Sequence, residues 1–375
     1  MNKKVCSRNS YMLSGPLASN GYDWWWHSFT GYHKTTGKAR TFFVEYFICN
    51  PALGWDVPIL GQLPQNQAGN VKPSYALIKV GTWGEEPCQI HNFYPIKEMV
   101  SSKKQLDLKI GECILTETHM KGFCKVSKRE VEEHPEYMCD AGEMSWDIQI
   151  NKKIAFHVGY GASKIFRALN AFEMFWHAEG IKTEYSGELR YNGEQYDIIP
   201  GKSYGYADKN WGSDYTSPWL WISSCNMKSL ISGKILNQSA VEFGGGKPKA
   251  FGVDLGRKLL GCLNYEGKNY DYNFSKFWTK AKIDFKFREF ENENVWKLKA
   301  QNKESVLYLT LTCPKAEMLL VNYEAPSGKK RHNRLWNGGT GYGEIKLYQK
   351  EEGKKTLVDH IEMKSTGCEY GEYTL

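Results

Sequence analysis

The densest concentration of reactive side chains is Tyr204-Gly205-Tyr206-Ala207-Asp208-Lys209-Asn210-Trp211-Gly212, followed by Trp219-Leu220-Trp221-Ile222. An acid, an amine, an amide and an indole in four successive positions supply a proton donor, a charge partner, a dipolar clamp and an apolar wall. A carboxylic acid kept neutral by apolar surroundings can protonate a carbon–carbon double bond, because burial disfavours its charged form. Aromatic faces then stabilise the resulting cation by about 0.5–2 kcal/mol each. In an extended strand, Asp208 and Asn210 face one side while Lys209 and Trp211 face the other, so only one pair enters a shared cavity. The competing arrangement is a corner in which Asp208 or Asn210 bonds the turn backbone, Lys209 is solvated and Trp211 packs. A salt bridge from Asp208 to Lys209 would lower the acid's pKa and end its use as a donor.

Glu45, isolated in Phe42-Phe43-Val44-Glu45-Tyr46-Phe47, is the second candidate acid, with simple alternation onto a polar lumen face as its alternative. Glu173 and Glu179 follow, each readable as an ordinary surface carboxylate. In Trp24-Trp25-Trp26-His27 three indoles cannot all bury against one strand face, so at least one is expected at a cavity, an interface or solvent. His27 and His177 occupy the most aromatic settings and are candidates to relay a proton. The residues expected around a substrate are Trp25, Trp26, His27, Trp176, Tyr204, Tyr206, Trp211, Trp219 and Trp221. Gly159-Tyr160-Gly161-Ala162-Ser163-Lys164 and Gly244-Gly245-Gly246-Lys247 have neither P-loop nor dinucleotide spacing. There is no metal-ligand spacing and no GxSxG elbow. No cofactor is expected.

The elements that must position these residues are mostly strands. Period-two alternation recurs in Leu106-Leu108-Ile110, Met144-Trp146-Ile148-Ile150, Ile154-Phe156-Val158-Tyr160, Ile283-Phe285-Phe287, Leu307-Leu309-Leu311 and Ile345-Leu347. Asn192-Gly193 predicts a type I′ hairpin that sets Leu189 against Tyr196 and Arg190 against Gln195. One segment has helical spacing, Ile165, Leu169, Phe172 and Trp176. A change of character at Ile199-Pro200-Gly201-Lys202 divides the chain into two β domains, residues 1–199 and 200–375, the second opening with the Asp-Lys-Asn-Trp-Gly stretch. The expected fold class is all-β with little helix.

Composition agrees. Aromatics make up 14% of 375 residues, an excess that favours strands and concave apolar sites. The net charge of +7 comes without the dense basic stripe of a nucleic-acid binder, so no nucleic-acid partner is expected. Ten scattered cysteines without a CxxC pair fit reduced thiols and a cytoplasmic location. No secretory leader and no membrane span are expected. The oligomeric state is left open.

Tyr-Ala-Asp-Lys-Asn-Trp-Gly followed by Trp-Leu-Trp-Ile resembles the Glu/Asp-Lys-Asn-Trp-Gly and Trp-Phe-Trp signature of the tocopherol cyclase family, itself similar to the carotenoid hydratase-like proteins. Arg40-Thr41-Phe42-Phe43-Val44-Glu45-Tyr46-Phe47 resembles the family's early aromatic strand, and Tyr185-Ser186-Gly187-Glu188-Leu189 precedes the motif as the family's hairpin does. The resemblance implies two packed lipocalin-like barrels and cofactor-free, acid-catalysed cyclisation or hydration of an alkene in a hydrophobic small molecule. Asp208 would donate the proton, with Lys209 and Asn210 setting its pKa and orientation. Three departures bear on the substrate. Asp208 stands where plant-type cyclases have Glu, Asp214 to Trp219 replaces the usual Phe-Pro, and no plastid-targeting extension is expected. A noncatalytic carrier of a lipid or aromatic metabolite would use the same barrel, but needs no proton donor at its cavity.

Overall fold

The computed structural model describes residues 8–157, 172–250, 253–274, 276–328 and 335–372. Strands dominate, and the longest α-helix among these residues is Lys128–Glu133. No helix among them is long and apolar enough to cross a membrane. The nine described cysteines carry free thiols.

All ladders are antiparallel. The first sheet runs β4 (Cys88–Tyr94), β3 (Tyr75–Thr82), β2 (Ala39–Cys49), β1 (Tyr22–His33), β11 (Glu194–Ile198), β10 (Met174–Tyr191), β9 (Gly142–Phe156), β8 (His119–Val126), β7 (Cys113–Thr116), β6 (Asp107–Ile110) and β5 (Met99–Ser101). The motif strand β12 (Tyr204–Gly212) pairs with both β1 and β10. The sheet curls into a barrel, and Asn92 of β4 exchanges two hydrogen bonds with the Lys125 backbone of β8, at 2.9 and 3.0 Å. The second sheet runs β19 (Lys268–Asp271), β18 (Lys258–Tyr265), β15 (Ala240–Gly246), β13 (Trp219–Ser224), β25 (Lys354–Gly371), β24 (Leu335–Glu351), β22 (Ser305–Pro314), β21 (Glu293–Gln301) and β20 (Lys282–Glu289). Short strands β14 (Asn226–Ser229) and β23 (Leu319–Val321) add to β25 and β24, and β16 (Lys249–Ala250) pairs with β17 (Val253–Asp254). The result is an all-β, lipocalin-like architecture of two barrel-like sheets.

Alternation sorts the side chains into three cores. Trp25, Phe29, Tyr46, Ile78 and Trp146 fill the first barrel, while Ile222, Phe243, Trp296, Leu309 and Ile361 fill the second. Between them lies a seam built from the outward face of the first sheet, including Trp26, Phe43, Trp176 and Tyr206, and from Trp219, Trp221 and Tyr323. The triple indole is split accordingly: Trp25 points into the first barrel, and Trp24 and Trp26 into the seam.

The Asn192-Gly193 turn has positive φ at both residues, 48° and 84°, and pairs Leu189 with Tyr196 and Arg190 with Gln195 as expected. Two expectations are corrected. The motif strand is hydrogen-bonded into the first sheet, so the chain changes sheet between Gly212 and Trp219 rather than near residue 200. Trp176 belongs to a strand, paired with Asn210 in the ladder between β10 and β12, with its indole on the seam face. Ile165, Leu169, Val158 and Tyr160 lie outside the described residues.

Candidate active site

Strand β12 divides its own motif. Tyr206, Asp208 and Asn210 face the seam, whereas Lys209 and Trp211 face the first barrel. Trp176 on the neighbouring β10 donates its indole N–H to Asp208 Oδ2 at 2.8 Å. The Tyr206 hydroxyl lies 3.1 Å from the same oxygen and 3.2 Å from Glu242 Oε1 of β15, across the seam. Trp221 of β13 donates to that Glu242 oxygen at 2.7 Å. Asp208 Oδ1, Glu242 Oε2 and Trp26 Nε1 are buried without a hydrogen-bond partner.

Burial sets the electrostatics. Asp208 and Glu242 are 6% and 0% exposed, and desolvation holds both carboxyls well above the ordinary carboxylate range. The bonds from Trp176 and Tyr206 oppose this at Asp208, while the negative charges of Glu369 and Glu179 reinforce it. Glu369 of β25 accepts from Trp219 Nε1 and Asn337 Nδ2, both at 2.5 Å, and burial pushes it up to about 7. Desolvation therefore biases Asp208 toward its neutral, proton-bearing form.

Glu45 also faces the seam and not a barrel lumen. It accepts from the Tyr323 hydroxyl at 3.2 Å and lies 3.4 Å from Lys79 Nζ of β3. Burial raises the Glu45 pKa and lowers that of Lys79, and each partner's charge offsets only part of the other's shift. The Lys79 ammonium also lies 4.2 Å from the Tyr323 ring centroid.

Two cavities adjoin the seam. One is a mainly apolar cleft of about 140 Å³ bordered by Phe172, Met174, Trp176, Trp219, Leu260 and Phe274. Among the described residues, Asp208, Glu45, His27 and His177 do not line it; the Trp176 indole stands between the cleft and Asp208. The other, of about 20 Å³, is bordered by Lys79, His91, Gln62 and Tyr323, enough for one water. Gly244 of β15 creates the seat for Trp176: a Cβ there would meet the indole's Cη2 at 2.6 Å.

Most of the other expected residues occupy the first barrel. Lys209 forms a fully buried ion pair with Asp23 and lies 3.8 Å from the Trp25 ring centroid and 5.5 Å from that of Trp211. Its direct partner is thus Asp23 and not Asp208, because the two motif residues project from opposite strand faces. His27 Nδ1 meets the Tyr185 hydroxyl at 3.0 Å, and His177 bridges Asn9 and His157, each at 2.9 Å. Burial lowers both histidine pKa values well below the ordinary range. Glu179, expected on the surface, is buried and ion-paired with Lys152 at 2.9 Å. Glu173 is half-buried at the cleft edge, 3.7 Å from Lys249. Tyr204 lies outside the seam under Lys182, 4.7 Å from its ring centroid.

Sequence reasoning missed Glu242, Glu369, Lys79 and Tyr323. Glu242 carried a signal of the Glu45 kind, a lone acid inside Ala240-Val241-Glu242-Phe243. Among the described residues, no group of three or more His, Cys, Asp or Glu side chains is arranged to hold a metal ion.

The tocopherol cyclase-like family model matches residues 78–372. Curated protein sequences give no significant match. Among solved structures, the chain is similar to a protein described as an AttH from Nitrosomonas europaea, with 12% identity, TM-score 0.45 and 92% of each chain covered. It is also similar to kievitone hydratase from Nectria haematococca, with 14% identity, TM-score 0.41 and coverage of 98% of this chain and 97% of that one. The match to the family model takes in every strand from β4 to β25, with the Asp208 motif, so this chain belongs to the tocopherol cyclase-like family.

Proposed function

We propose that the seam is the active site of a cyclase- or hydratase-type enzyme that protonates an alkene in a hydrophobic small molecule, such as a prenylated phenol or a terpenoid-like compound, without a cofactor. Family membership supports the class of reaction. The observation that carries the reading is Asp208, a buried acid with one free oxygen, held by Trp176 and Tyr206 and pushed toward its neutral form by desolvation. An acid in that state donates a proton at neutral pH, which a solvated aspartate does not.

In this reading the apolar cleft takes the prenyl chain, and Trp176 and Trp219 supply the faces that stabilise the tertiary cation. The indole of Trp176 has to turn aside for Asp208 to touch the alkene carbon. Asn210, held by the Tyr22 hydroxyl at 2.6 Å, keeps the acid-bearing face of β12 turned toward the seam. Lys209 contributes from behind: its ion pair with Asp23 pins the strand to β1. An internal hydroxyl captures the cation in a cyclase, and water does so in a hydratase.

The test begins with mass spectrometry of small molecules that copurify with the protein, followed by incubation in heavy-oxygen water. Label incorporation identifies hydration, and an unlabelled isomer identifies ring closure. Asp208→Asn should lower turnover by at least about 100-fold, as expected for loss of a general acid, while ligand affinity persists. A second reading, a noncatalytic carrier, is favoured by the absence of Asp208, Glu45, His27 and His177 from the cleft lining. Ligand recovered chemically unchanged with the native protein, and bound equally by Asp208→Asn, would establish the carrier.

A further inference from the structure

The Tyr206 hydroxyl has one hydrogen but two carboxyl oxygens within reach, Asp208 Oδ2 at 3.1 Å and Glu242 Oε1 at 3.2 Å. If both acids were ionised, two negative charges in a dry seam would share the one phenol hydrogen, each with a single indole N–H besides. A single proton on the pair resolves the arrangement: one acid donates to the phenol oxygen, and the phenol donates to the other acid. The two acids are not equivalent. Glu242 accepts from Trp221 and has the Ser223 hydroxyl beside it, favouring its charged form, whereas Asp208 lies near the charges of Glu369 and Glu179.

We propose that Glu242 is the proton-relay partner of Asp208, the two sharing one proton through the Tyr206 hydroxyl across the boundary between the sheets. This rests on the reading of Asp208 as the acid. In the cycle, Asp208 gives its proton to an alkene carbon, and the alkene π pair forms the C–H bond, leaving a carbocation. The oxygen of water or of an internal hydroxyl forms the C–O bond and releases its proton to the Glu242 carboxylate. That proton passes to the Tyr206 oxygen as the Tyr206 hydrogen passes to Asp208 Oδ2. Both acids and the phenol are restored, and no proton is gained or lost overall. Glu242 Oε2, buried and unpartnered, is the atom available to receive the released proton, and a half-turn of the carboxyl then brings that O–H to the position of Oε1 beside the Tyr206 hydroxyl.

The titratable and charged groups that act on the pair are Tyr206 on the motif strand, Tyr22 on β1, Tyr323, Glu369 on β25 and the Cys262 thiol on β18 on the seam side, with Lys209, Tyr185 and Glu179 acting through the sheet from the first barrel. The test uses infrared difference spectra of the full chain during pH titration, following the carbonyl stretch of the protonated carboxyl that Asp208→Asn removes. Glu242→Gln keeps an acceptor for Trp221 but removes the neighbouring charge, so the Asp208 midpoint should fall by at least about one pH unit. Tyr206→Phe should leave the coupling but slow turnover on the copurified ligand with little change in KM. An Asp208 midpoint that stays put in Glu242→Gln overturns the proposal, as does a pair that titrates as two independent acids. Should Glu242→Gln fail to fold, Glu242→Asp serves, since a retracted carboxylate should still move the midpoint downward. If the midpoint shifts as expected while Asp208→Asn retains full turnover, the shared proton stands and the assignment of Asp208 as the acid falls.

Discussion

Replacing Gly244 with alanine tests whether Trp176 is seated as described. The new Cβ would lie 2.6 Å from Trp176 Cη2 and 2.7 Å from Cζ3, whereas apolar carbons settle about 3.5–4.0 Å apart. The ring edge therefore has to retreat by about 1 Å. Its N–H donates to Asp208 Oδ2 at 2.8 Å, and a displacement of that size weakens or breaks the bond. Losing a donor to a buried acceptor costs about 1–3 kcal/mol, and overpacking adds about 1–3 kcal/mol. The cleft that Trp176 lines gives the ring room to move, so the sum should fall near the low end, about 2–3 kcal/mol. Urea unfolding reads the stability, and binding of a fluorescent apolar dye reads whether the displaced ring has filled the cleft. Both should fall together. An unchanged urea midpoint with unchanged dye affinity would show that the indole does not rest on Gly244, and the link between cleft and acid would fail.

Two further perturbations probe the charges. Glu369, raised from 4.5 to about 7, takes up a proton on folding when the pH lies between those values. Its contribution is complete below about pH 4.5 and is lost as pH rises through about 7, up to about 3 kcal/mol; Glu369→Gln should flatten the stability profile in that window, and an unchanged profile in urea melts would count against it. Lys209→Met leaves Asp23 buried without its cation and should cost about 3–5 kcal/mol, much of it recovered in Asp23→Asn/Lys209→Met. A single variant as stable as the native chain in the same melts would contradict the ion pair.

Much of the local structure was legible. The Asn192-Gly193 turn fixed a register that the ladder reproduces, and strand alternation separated Asp208 from Lys209. The isolated acid Glu45 was also readable as a residue with a purpose. What alternation could not reveal is which face of a strand meets a lumen and which meets a second sheet, since both are apolar. Glu45 was therefore left between a candidate acid and a residue on a lumen face, and Glu242, from a strand in the other sheet, went unnoticed. Trp176 was grouped by helical spacing with Ile165 and Leu169, which lie outside the described residues, whereas it is part of a strand and its burial against Gly244 depends on a contact between the two sheets. The change of sheet was placed too early because the Pro200-Gly201 turn is only a connection between two strands of the same barrel.

Because the motif strand closes the first sheet and Glu242 belongs to the second, a cut through residues 213–218 would leave Asp208 on one fragment and Glu242 on the other. Each half would then carry one of the two acids exposed to water, and the desolvation that raises their pKa values would return only when the halves reassociate. If the proposed chemistry holds, it belongs to the junction, and it depends on the register between the two sheets as much as on either barrel.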